Sequence, residues 1–272
     1  MHYEGKKVLI VGGSSGLGLA LAKDLKDKKA LVTITSRSPS TLSEFVPEFS
    51  THPVDITEQS SVDAIPSDFD LIFCCAGFAT PSLAREIEVQ KMEKIMNCNF
   101  FGSVRVYLHF LKHVTHEKRK SLVFISSTLG LHSFTGYGMY SPSKSALSSF
   151  YESVYDESSI LGLDLYIYYV STIQSNGFIT EQKTKPEITK KIEGSSISKM
   201  SLPENRARTL LNAMPKSRII YSDFVTRLFS KSAEINTLSD VLAYFLSPFF
   251  WICFKLFAAY TTRKHYPKDK CS

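Results

Sequence analysis

The chain has 272 residues, of which 43% are hydrophobic and 21% charged, enough for one large α/β domain with an appendage. Its net charge of +6 is modest and partly confined to the tail at 263–270, so we do not expect a nucleic-acid-binding face. The five cysteines form no Cys-x-x-Cys pair, which predicts reduced thiols in a cytosolic compartment and neither a disulfide framework nor a metal site.

A glycine-rich turn follows the first predicted strand. Val8–Val11 is a short apolar run typical of a buried parallel strand, and no signal peptide is expected ahead of it. The glycines after it are spaced Gly12-x-x-x-Gly16-x-Gly18, before an amphipathic helix that ends near Lys28. Such a turn lets the free N–H groups of a helix N-terminus approach a pyrophosphate. We expect its dinucleotide contacts to come from Gly12, Ser14, Ser15, Gly16, Leu17 and Gly18.

The ends of the second and third predicted strands are expected to select the cofactor. The run Ala30–Thr35 is followed by Ser36 and Arg37, where an acidic residue would favour the ribose hydroxyls of NAD. A hydroxyl and a guanidinium suit a phosphate instead, which predicts NADP(H); the alternative is a solvated loop arginine. A helix around Thr41–Phe49 precedes the third strand, which is expected to end with Pro53-Val-Asp55. Asp55 is expected to touch the adenine edge.

Strands and helices continue to alternate along the chain. A fourth strand and its turn are predicted at Asp70–Gly77, and further strands at Leu122–Ser127 and Asp164–Val170. Long helices are predicted at Ile87–Thr115 and after Tyr140 to about Leu161. This alternation predicts a Rossmann-type, doubly wound parallel sheet with right-handed crossovers. Ligands of such sheets bind at the carboxyl ends of the strands.

Three side chains at that edge suit proton delivery to a carbonyl group. Tyr140 and Lys144 lie four residues apart on one helix face, and Ser127 ends an apolar strand. An ammonium ~4–5 Å from the phenol, in an effective dielectric of about 20, would favour the phenolate by roughly 3–4 kcal/mol and so lower the pKa of Tyr140. We expect Tyr140 to be the general acid, Lys144 to tune it and Ser127 to hold the substrate oxygen. The alternative is a Tyr-x-x-x-Lys pair that arose by chance.

The glycine turn, Asn99, Ser127, Tyr140 and Lys144, in this order and spacing, resemble the short-chain dehydrogenase/reductase family over roughly residues 5–222. The resemblance implies that Asn99 holds a water of a proton relay behind Lys144. It also implies that Lys144 contacts the nicotinamide ribose while hydride passes to the carbonyl carbon. A homodimer or homotetramer through the two long helices is implied as well.

Two positions depart from the family pattern. Cys75 replaces the asparagine that usually precedes Ala76 and Gly77, and Val170-Ser171 replaces Pro-Gly. Ala76 and Gly77 keep the tight turn and are expected to contact the cofactor. By the same resemblance, the nicotinamide carboxamide and a phosphate are expected at Ile173 and Ser175.

A narrower resemblance, to the reductases of 3-ketosphinganine, is carried by the stretch 176–194, the Cys-Cys-Ala-Gly turn and an apolar C-terminal segment. It implies NADPH-dependent reduction of this long-chain sphingoid ketone to sphinganine at the endoplasmic reticulum. Residues 174–200 would then be the substrate lid of a reductase domain spanning 1–222. Two alternatives remain open: another lipid-directed reductase, acting on steroids, retinoids or acyl-dihydroxyacetone phosphate, and a catalytically silent NADPH-sensing binding module.

The segment 223–272 is predicted to associate with a membrane. Val241–Tyr260 could span about 30 Å as a helix, but Lys255 and Pro248 interrupt its apolar run. It could therefore cross the bilayer, or bend and lie in its surface; a buried helix or an oligomer contact is the alternative. The end Lys268–Ser272 resembles a dilysine retrieval signal, which requires the tail and the catalytic domain to face the cytosol.

Overall fold

The computed structural model describes residues 2–45, 48–115, 117–194, 201–230 and 238–265. Seven strands form one parallel sheet in the order β3-β2-β1-β4-β5-β6-β7. The strands are β1 (Lys7–Val11), β2 (Leu31–Ser36), β3 (Ser50–Pro53), β4 (Leu71–Cys74), β5 (Lys120–Ser127), β6 (Leu163–Val170) and β7 (Ile219–Tyr221). The predicted doubly wound sheet is confirmed.

Helices cover both faces of the sheet. In chain order they are α1 (Gly16–Asp27), α2 (Pro39–Ser43), α3 (Gln59–Asp63), α4 (Val89–Met96), α5 (Ser103–Leu111), α6 (Thr128–Leu131), α7 (Ser141–Leu161), α8 (Asn176–Gln182), α9 (Glu187–Glu193), α10 (Pro203–Ala213), α11 (Phe224–Leu228) and α12 (Leu238–His265). Because both faces are covered, the central strands β1 and β4 are continuous apolar runs rather than alternating ones. In β1, Ile10 packs in the cluster that holds Leu21 of α1, and Leu9 packs in the one that holds Phe110 of α5.

Two predicted helices differ from the structure. The one expected at Thr41–Phe49 is only the five residues of α2, which begins at Pro39 and is capped by the Ser38 hydroxyl, and residues 46 and 47 lie outside the described chain. The one expected at Ile87–Thr115 is α4 and α5 joined by a wider, π-helical turn at Asn97–Gly102. Such turns break the helical hydrogen-bond ladder and occur often at functional sites.

The strand order reverses beside β1, since the chain builds β2 and β3 on one side of it and β4 to β7 on the other. At the carboxyl ends of the strands this reversal opens a crevice between the turns after β1 and β4. The helices α8 and α9, within the predicted lid, stand over the part of that edge formed by β5 and β6.

The C-terminal helix α12 is continuous through Pro248 for 28 residues, about 42 Å at 1.5 Å per residue. Its inner side packs on the domain: the Ser247 hydroxyl donates to the carbonyl of Leu228 at 2.7 Å, and Phe254 packs with α9 and Phe134. Its other side, here called the outer face, is apolar and exposed, and consists of Leu242, Phe245, Phe249, Ile252, Leu256 and Tyr260.

Within the described residues, one helical window, Tyr244–Thr261, is long and apolar enough to cross a membrane, and 6% of it is buried. The dilysine-like end at Lys268–Ser272 lies outside the described residues. The predicted boundary at 222 stays a prediction, although Asp223 begins α11 by accepting a hydrogen bond from the Thr226 N–H at 2.8 Å.

Candidate active site

A cleft of about 1020 Å³ opens at the carboxyl ends of the strands. Its walls come from the turns after β1, β4, β5 and β6, from the lid helices and from α11 and α12. Most of the predicted site residues line it: Gly12, Ser14, Ser15, Gly16, Leu17, Gly18, Ala76, Gly77, Ser127, Tyr140, Lys144, Ile173 and Ser175. The sequence thus brings together residues that are up to 163 positions apart, from Gly12 to Ser175.

The glycine turn is tight enough to exclude side chains. Gly12 has φ +82°, and a Cβ there would lie 2.7 Å from the Ala76 nitrogen. A Cβ on Gly18 would lie 2.2 Å from the carbonyl oxygen of Gly12, so the turn packs directly on the first turn of α1. The side chain of Ser15 makes no capping hydrogen bond within the described part of the chain. The N–H groups at this helix end therefore face the cleft, as an anion site requires.

The three predicted cofactor-selecting residues lie just beyond that lining. Ser36 ends β2, Arg37 follows it in an exposed position, and Asp55 lies two residues after β3. Partial burial acts to raise the pKa of Asp55, but hydrogen bonds from Thr57, at 2.7 and 2.9 Å, and the charge of Arg37 hold it below its usual range. Asp55 is therefore ionised and electrostatically coupled to Arg37 at the edge of the crevice nearest β1.

Ser127 and Tyr140 meet at the centre of the cleft. Ser127 is the last residue of β5 and the N-cap of α6, where its hydroxyl accepts from the Leu129 N–H at 3.1 Å. Tyr140 stands at the start of α7 and lines the same cleft, where the neighbouring Ser127 hydroxyl acts to lower the pKa of the phenol. A carbonyl oxygen placed here would meet two hydroxyl donors at once.

Lys144 lies one helical turn further along α7, with 5% of the residue exposed. Its Nζ donates to the carbonyl oxygen of Ile125 at 2.8 Å and lies 6.0 Å from the centre of the Tyr140 ring. Burial lowers the pKa of Lys144 to about 8, although the neighbouring thiols Cys98 and Cys75 act to raise it. The predicted pairing of Tyr140 and Lys144 on one helix face is present.

The predicted effect of Lys144 on the phenol differs from the structure. Burial raises the pKa of Tyr140 well above its usual value, and the main opposing influence is the hydrogen bond from Ser127 rather than the lysine charge. The Coulomb estimate neglected the cost of removing a phenolate from water, which exceeds the attraction of a partly screened ammonium. Tyr140 is therefore a protonated donor in this cleft.

Asn99 sits in the π-helical turn and is fully buried. Its side chain accepts from the Phe78 N–H at 3.0 Å and donates to the Phe78 carbonyl at 2.9 Å and to the Ser143 hydroxyl at 3.1 Å. These bonds join the turn after β4 to the first turn of α7. A Cβ on Gly77 would lie 3.0 Å from the Asn99 Oδ1 and 3.5 Å from the Lys144 Nζ, so all three meet behind Tyr140.

The two departures from the family pattern have local compensations. Cys75 is a half-buried thiol whose pKa desolvation raises to about 12, so it adds no charge beside Lys144. At the second departure, the Ser171 N–H donates to the Ser222 hydroxyl at 2.9 Å, and the Ser171 hydroxyl donates to Asp223 at 2.7 Å. Arg206 pairs with the same Asp223 at 2.9 Å and donates to Ser171 at 2.6 Å. A polar network thus fixes the loop that a proline would otherwise stiffen.

Sequence reasoning missed this network and a second one in the lid. Lys185, whose side chain is 0% exposed, pairs with Glu181 at 2.8 Å and with Glu193. Tyr137 donates to Glu181 at 2.6 Å, and Thr172 donates to Glu193 at 3.1 Å. The network ties α8 and α9 to each other and to the loop after β6. Its only sequence signal is the spacing of four residues between Glu181 and Lys185, which is common on helix surfaces.

The chain is similar to several known proteins. One is a PIGF/3-ketodihydrosphingosine reductase fusion protein of Schizosaccharomyces pombe, 31% identical over 70% of this chain and 42% of that protein. A second is a 3-ketodihydrosphingosine reductase of Debaryomyces hansenii, 30% identical over 83% of this chain and 77% of that protein. A third is a 3-dehydrosphinganine reductase of Danio rerio, 28% identical over 78% of this chain and 69% of that protein. The chain thus spans less than half of the first relative and about three quarters of the second.

Solved structures share the fold at lower identity. The structure "ElxO with NADP Bound" superposes with a TM-score of 0.70 at 21% identity, covering 80% of this chain and 97% of that one. A short-chain dehydrogenase from Burkholderia phymatum in complex with NAD superposes with a TM-score of 0.72 at 18% identity, covering 82% and 90%. Residues 6–185 match the short chain dehydrogenase family. With this match, the parallel sheet and the cleft built on Ser127, Tyr140 and Lys144, the chain belongs to the short-chain dehydrogenase/reductase family.

Proposed function

We propose that the chain is an oxidoreductase that reduces 3-ketosphinganine to sphinganine with NADPH. The observation that carries the proposal is the placement of Ser127, Tyr140 and Lys144 between the glycine turn and an apolar end of the same cleft. Relatives over most of the chain are named for this ketone, and a long-chain ketone needs such an apolar end.

The residues of the polar end fit a dinucleotide. The turn at Gly12 and Gly18 leaves no room for side chains, and the first N–H groups of α1 are turned to the cleft. NADPH, when bound, supplies a hydride to the carbonyl carbon. The fold accepts both NADP and NAD, so the choice depends on the end of β2. There Ser36 and Arg37 would hold the extra phosphate of NADPH, and the carboxylate of Asp55 would help to position the guanidinium.

The chain's own residues handle the proton and the oxygen. Ser127 donates to the substrate oxygen and holds the carbonyl toward Tyr140. Tyr140 transfers its proton to that oxygen as negative charge develops there. Lys144, fixed by the Ile125 carbonyl, stabilises the phenolate left behind and would contact the nicotinamide ribose. Asn99 holds the surrounding backbone and, by our proposal, the water through which Tyr140 is reprotonated.

The proposed substrate is a lipid, and the proposed site of action is a membrane surface. The outer face of α12 is apolar, whereas its inner side packs on the domain. A helix held along the domain in this way favours lying in the membrane interface over crossing the bilayer. We place the enzyme at the endoplasmic reticulum with its catalytic domain in the cytosol. The thiols of the four described cysteines, which are free, are compatible with that compartment.

We also propose a homodimer or homotetramer formed through α4, α5 and α7. The exposed side chains of Phe101 and Leu108 on this layer supply apolar area for such a contact. Sedimentation of the full chain in mild detergent tests this: a monomer across the micromolar range would reject it.

The decisive experiment is NADPH oxidation by the full chain with 3-ketosphinganine, measured beside a steroid ketone, a retinal and acyl-dihydroxyacetone phosphate. We expect the sphingoid ketone to give the highest kcat/KM. A higher kcat/KM on another lipid ketone would reassign the substrate. NADPH binding without turnover on any of them would instead support a nucleotide-sensing module.

A further inference from the structure

The cleft is polar at one end and aromatic at the other. The glycine turn after β1 forms the polar end, and the sheet order places β6 and β7 on the opposite side of the catalytic residues. At that side the cleft is lined by Phe134, Ile192, Phe229 and Phe254, here called the aromatic enclosure.

The enclosure is a packed unit rather than a set of separate side chains. The Phe254 ring lies 5.1 Å from that of Phe229, 5.8 Å from that of Phe134 and 5.2 Å from the imidazole of His132. His132 in turn stacks flat on Phe229, with ring centres 5.2 Å apart and planes 4° apart. Ile192 of the lid packs in the same cluster as Phe254. Three parts of the chain therefore meet here: the loop after α6, the lid and the C-terminal helices.

Phe254 makes α12 a wall of the cleft. The residue belongs to the inner side of the helix, together with Ser247, whose hydroxyl bonds to the Leu228 and Ser230 carbonyls. Phe249, on the outer face, is 71% exposed and contributes nothing to the cleft lining. One helix thus presents apolar side chains both to the cleft and away from the domain, with a polar anchor in between.

We propose that the aromatic enclosure binds the alkyl chain of the ketone and makes the enzyme selective for long chains, with Phe254 of α12 as the main determinant. The proposal rests on the proposed function, since it assigns part of the same substrate. The four side chains of the enclosure are apolar, whereas the charged side chains that line the cleft in the lid and beside the loop after β6 are held in ion pairs, so the enclosure favours methylene groups over water-soluble head groups. The reacting ketone would lie at Ser127 and Tyr140, with its chain directed toward α12.

The first test compares a long-chain 3-ketosphingoid base with its short-chain analogue, both below their micelle-forming concentrations. For Phe254→Ala we expect kcat/KM on the long-chain ketone to fall by at least about tenfold, and that on the short-chain ketone to change by less than about twofold. The matched variant Phe249→Ala, on the outer face of the same helix, should keep the wild-type ratio between the two ketones. An equal loss on both ketones in Phe254→Ala overturns the proposal.

A second variant separates a loss of chain selectivity from a folding defect in Phe254→Ala. Phe254→Trp fills the enclosure instead of emptying it and should shift preference toward the short chain while NADPH affinity stays unchanged. A long-to-short ratio equal to that of the wild type in this variant also overturns the proposal.

The single tryptophan of the chain gives a readout that needs no turnover. Trp251 lies 5.5 Å from His132, beside the enclosure. A long-chain ketone brominated near its chain end should quench its fluorescence, and the brominated short-chain analogue should not. Quenching without turnover would reject the proposed reaction and keep the enclosure as a chain-binding site. Turnover with equal kcat/KM on both chain lengths, without quenching, would keep the proposed reaction and reject the enclosure as the chain-binding site.

Discussion

Tyr140 begins the reaction as a neutral phenol that lines the cleft. Burial raises its pKa, and the hydrogen bond with Ser127 opposes this rise only in part. A donor of this kind gives up its proton only when an acceptor oxygen becomes basic beside it, which couples proton transfer to hydride arrival.

Replacing Tyr140 by Phe removes the proton donor and keeps the ring. We expect kcat to fall by about 10²–10⁴-fold, because the developing alkoxide has no acid, with the NADPH dissociation constant changed by less than about twofold. Stopped-flow turnover and fluorescence titration measure the two quantities. Turnover at the wild-type rate would reject Tyr140 as the acid.

The burial of Lys144 predicts a stability that depends on pH. Its pKa is lowered from 10.5 to about 8 in the folded protein, so the unfolded chain binds one more proton between those values. The cost of burying the charge is present below pH 8 and disappears as the pH rises to 10.5. Relative to Lys144→Met, the wild type should therefore gain on the order of 3 kcal/mol of stability across that window. Urea unfolding of both proteins without cofactor tests this, and parallel pH profiles would contradict it.

Arg37 is exposed, and its charge contributes to the lowered pKa of Asp55. If it holds the extra phosphate of NADPH, Arg37→Ala should weaken NADPH binding by about 10–100-fold and leave NADH binding within about threefold. Calorimetric titration with both cofactors measures the difference. Equal weakening for both would show that the arginine supports the loop rather than the phosphate.

At the scale of elements, the lid is fastened by buried charges. Lys185 is enclosed between Glu181 and Glu193, and removing it leaves two facing carboxylates without a cation. Breaking a buried pair in this way costs about 3–5 kcal/mol. That cost falls on α8 and α9, which are short and would separate from the domain before the sheet unfolds.

Lys185→Met should therefore raise KM for the ketone and make residues 176–194 sensitive to limited proteolysis, with little change in NADPH binding. Lys190→Met is the matched control, because Lys190 pairs with the exposed Glu187 at the surface of the same lid. If Lys185→Met resists the protease as well as the wild type does, this network does not hold the lid on the domain.

The elements also show what sequence can and cannot supply. Six of the seven strands, the glycine turn and the Ser127, Tyr140 and Lys144 set were predictable because short-range patterns define them. The strand β7 was missed because it has only three residues, and β3 ends at Pro53 rather than at Asp55. The network of Arg206, Ser171 and Asp223 was not, since Ser171 lies 35 residues from Arg206 and 52 from Asp223 and meets them only through the pairing of β6 with β7. The raised pKa of Tyr140 could not be predicted from the sequence pattern either, because it depends on burial in the folded chain.

At the scale of the whole molecule, α12 is partnered on one side only. Its inner residues complete the cleft, and its outer face leaves several large apolar side chains in contact with solvent. Such an area is a site of association with lipid or protein. The proposed lipid substrate favours a membrane, whose surface would then adjoin the aromatic enclosure.

A charge on the outer face should abolish this association. Phe249→Glu places a carboxylate where the proposed contact is apolar, and we expect at least about tenfold weaker flotation with vesicles of neutral and anionic phospholipids. Phe249→Leu should float like the wild type, and turnover of a water-soluble short-chain ketone should be the same in all three proteins. Flotation of Phe249→Glu that matches the wild type would leave the outer face to a protein partner.

The order of the strands sets the directions from which two very different molecules would arrive. The strands β1 and β2 lie on one side of Tyr140, and β6 and β7 lie on the other. A water-soluble coenzyme and an alkyl chain can therefore enter the cleft from opposite ends. On the proposed arrangement, spent coenzyme can exchange with the aqueous phase while the protein stays on the bilayer. A single membrane-binding event would then allow many catalytic cycles. The surface density of the ketone in the membrane, rather than its bulk concentration, would set the turnover rate.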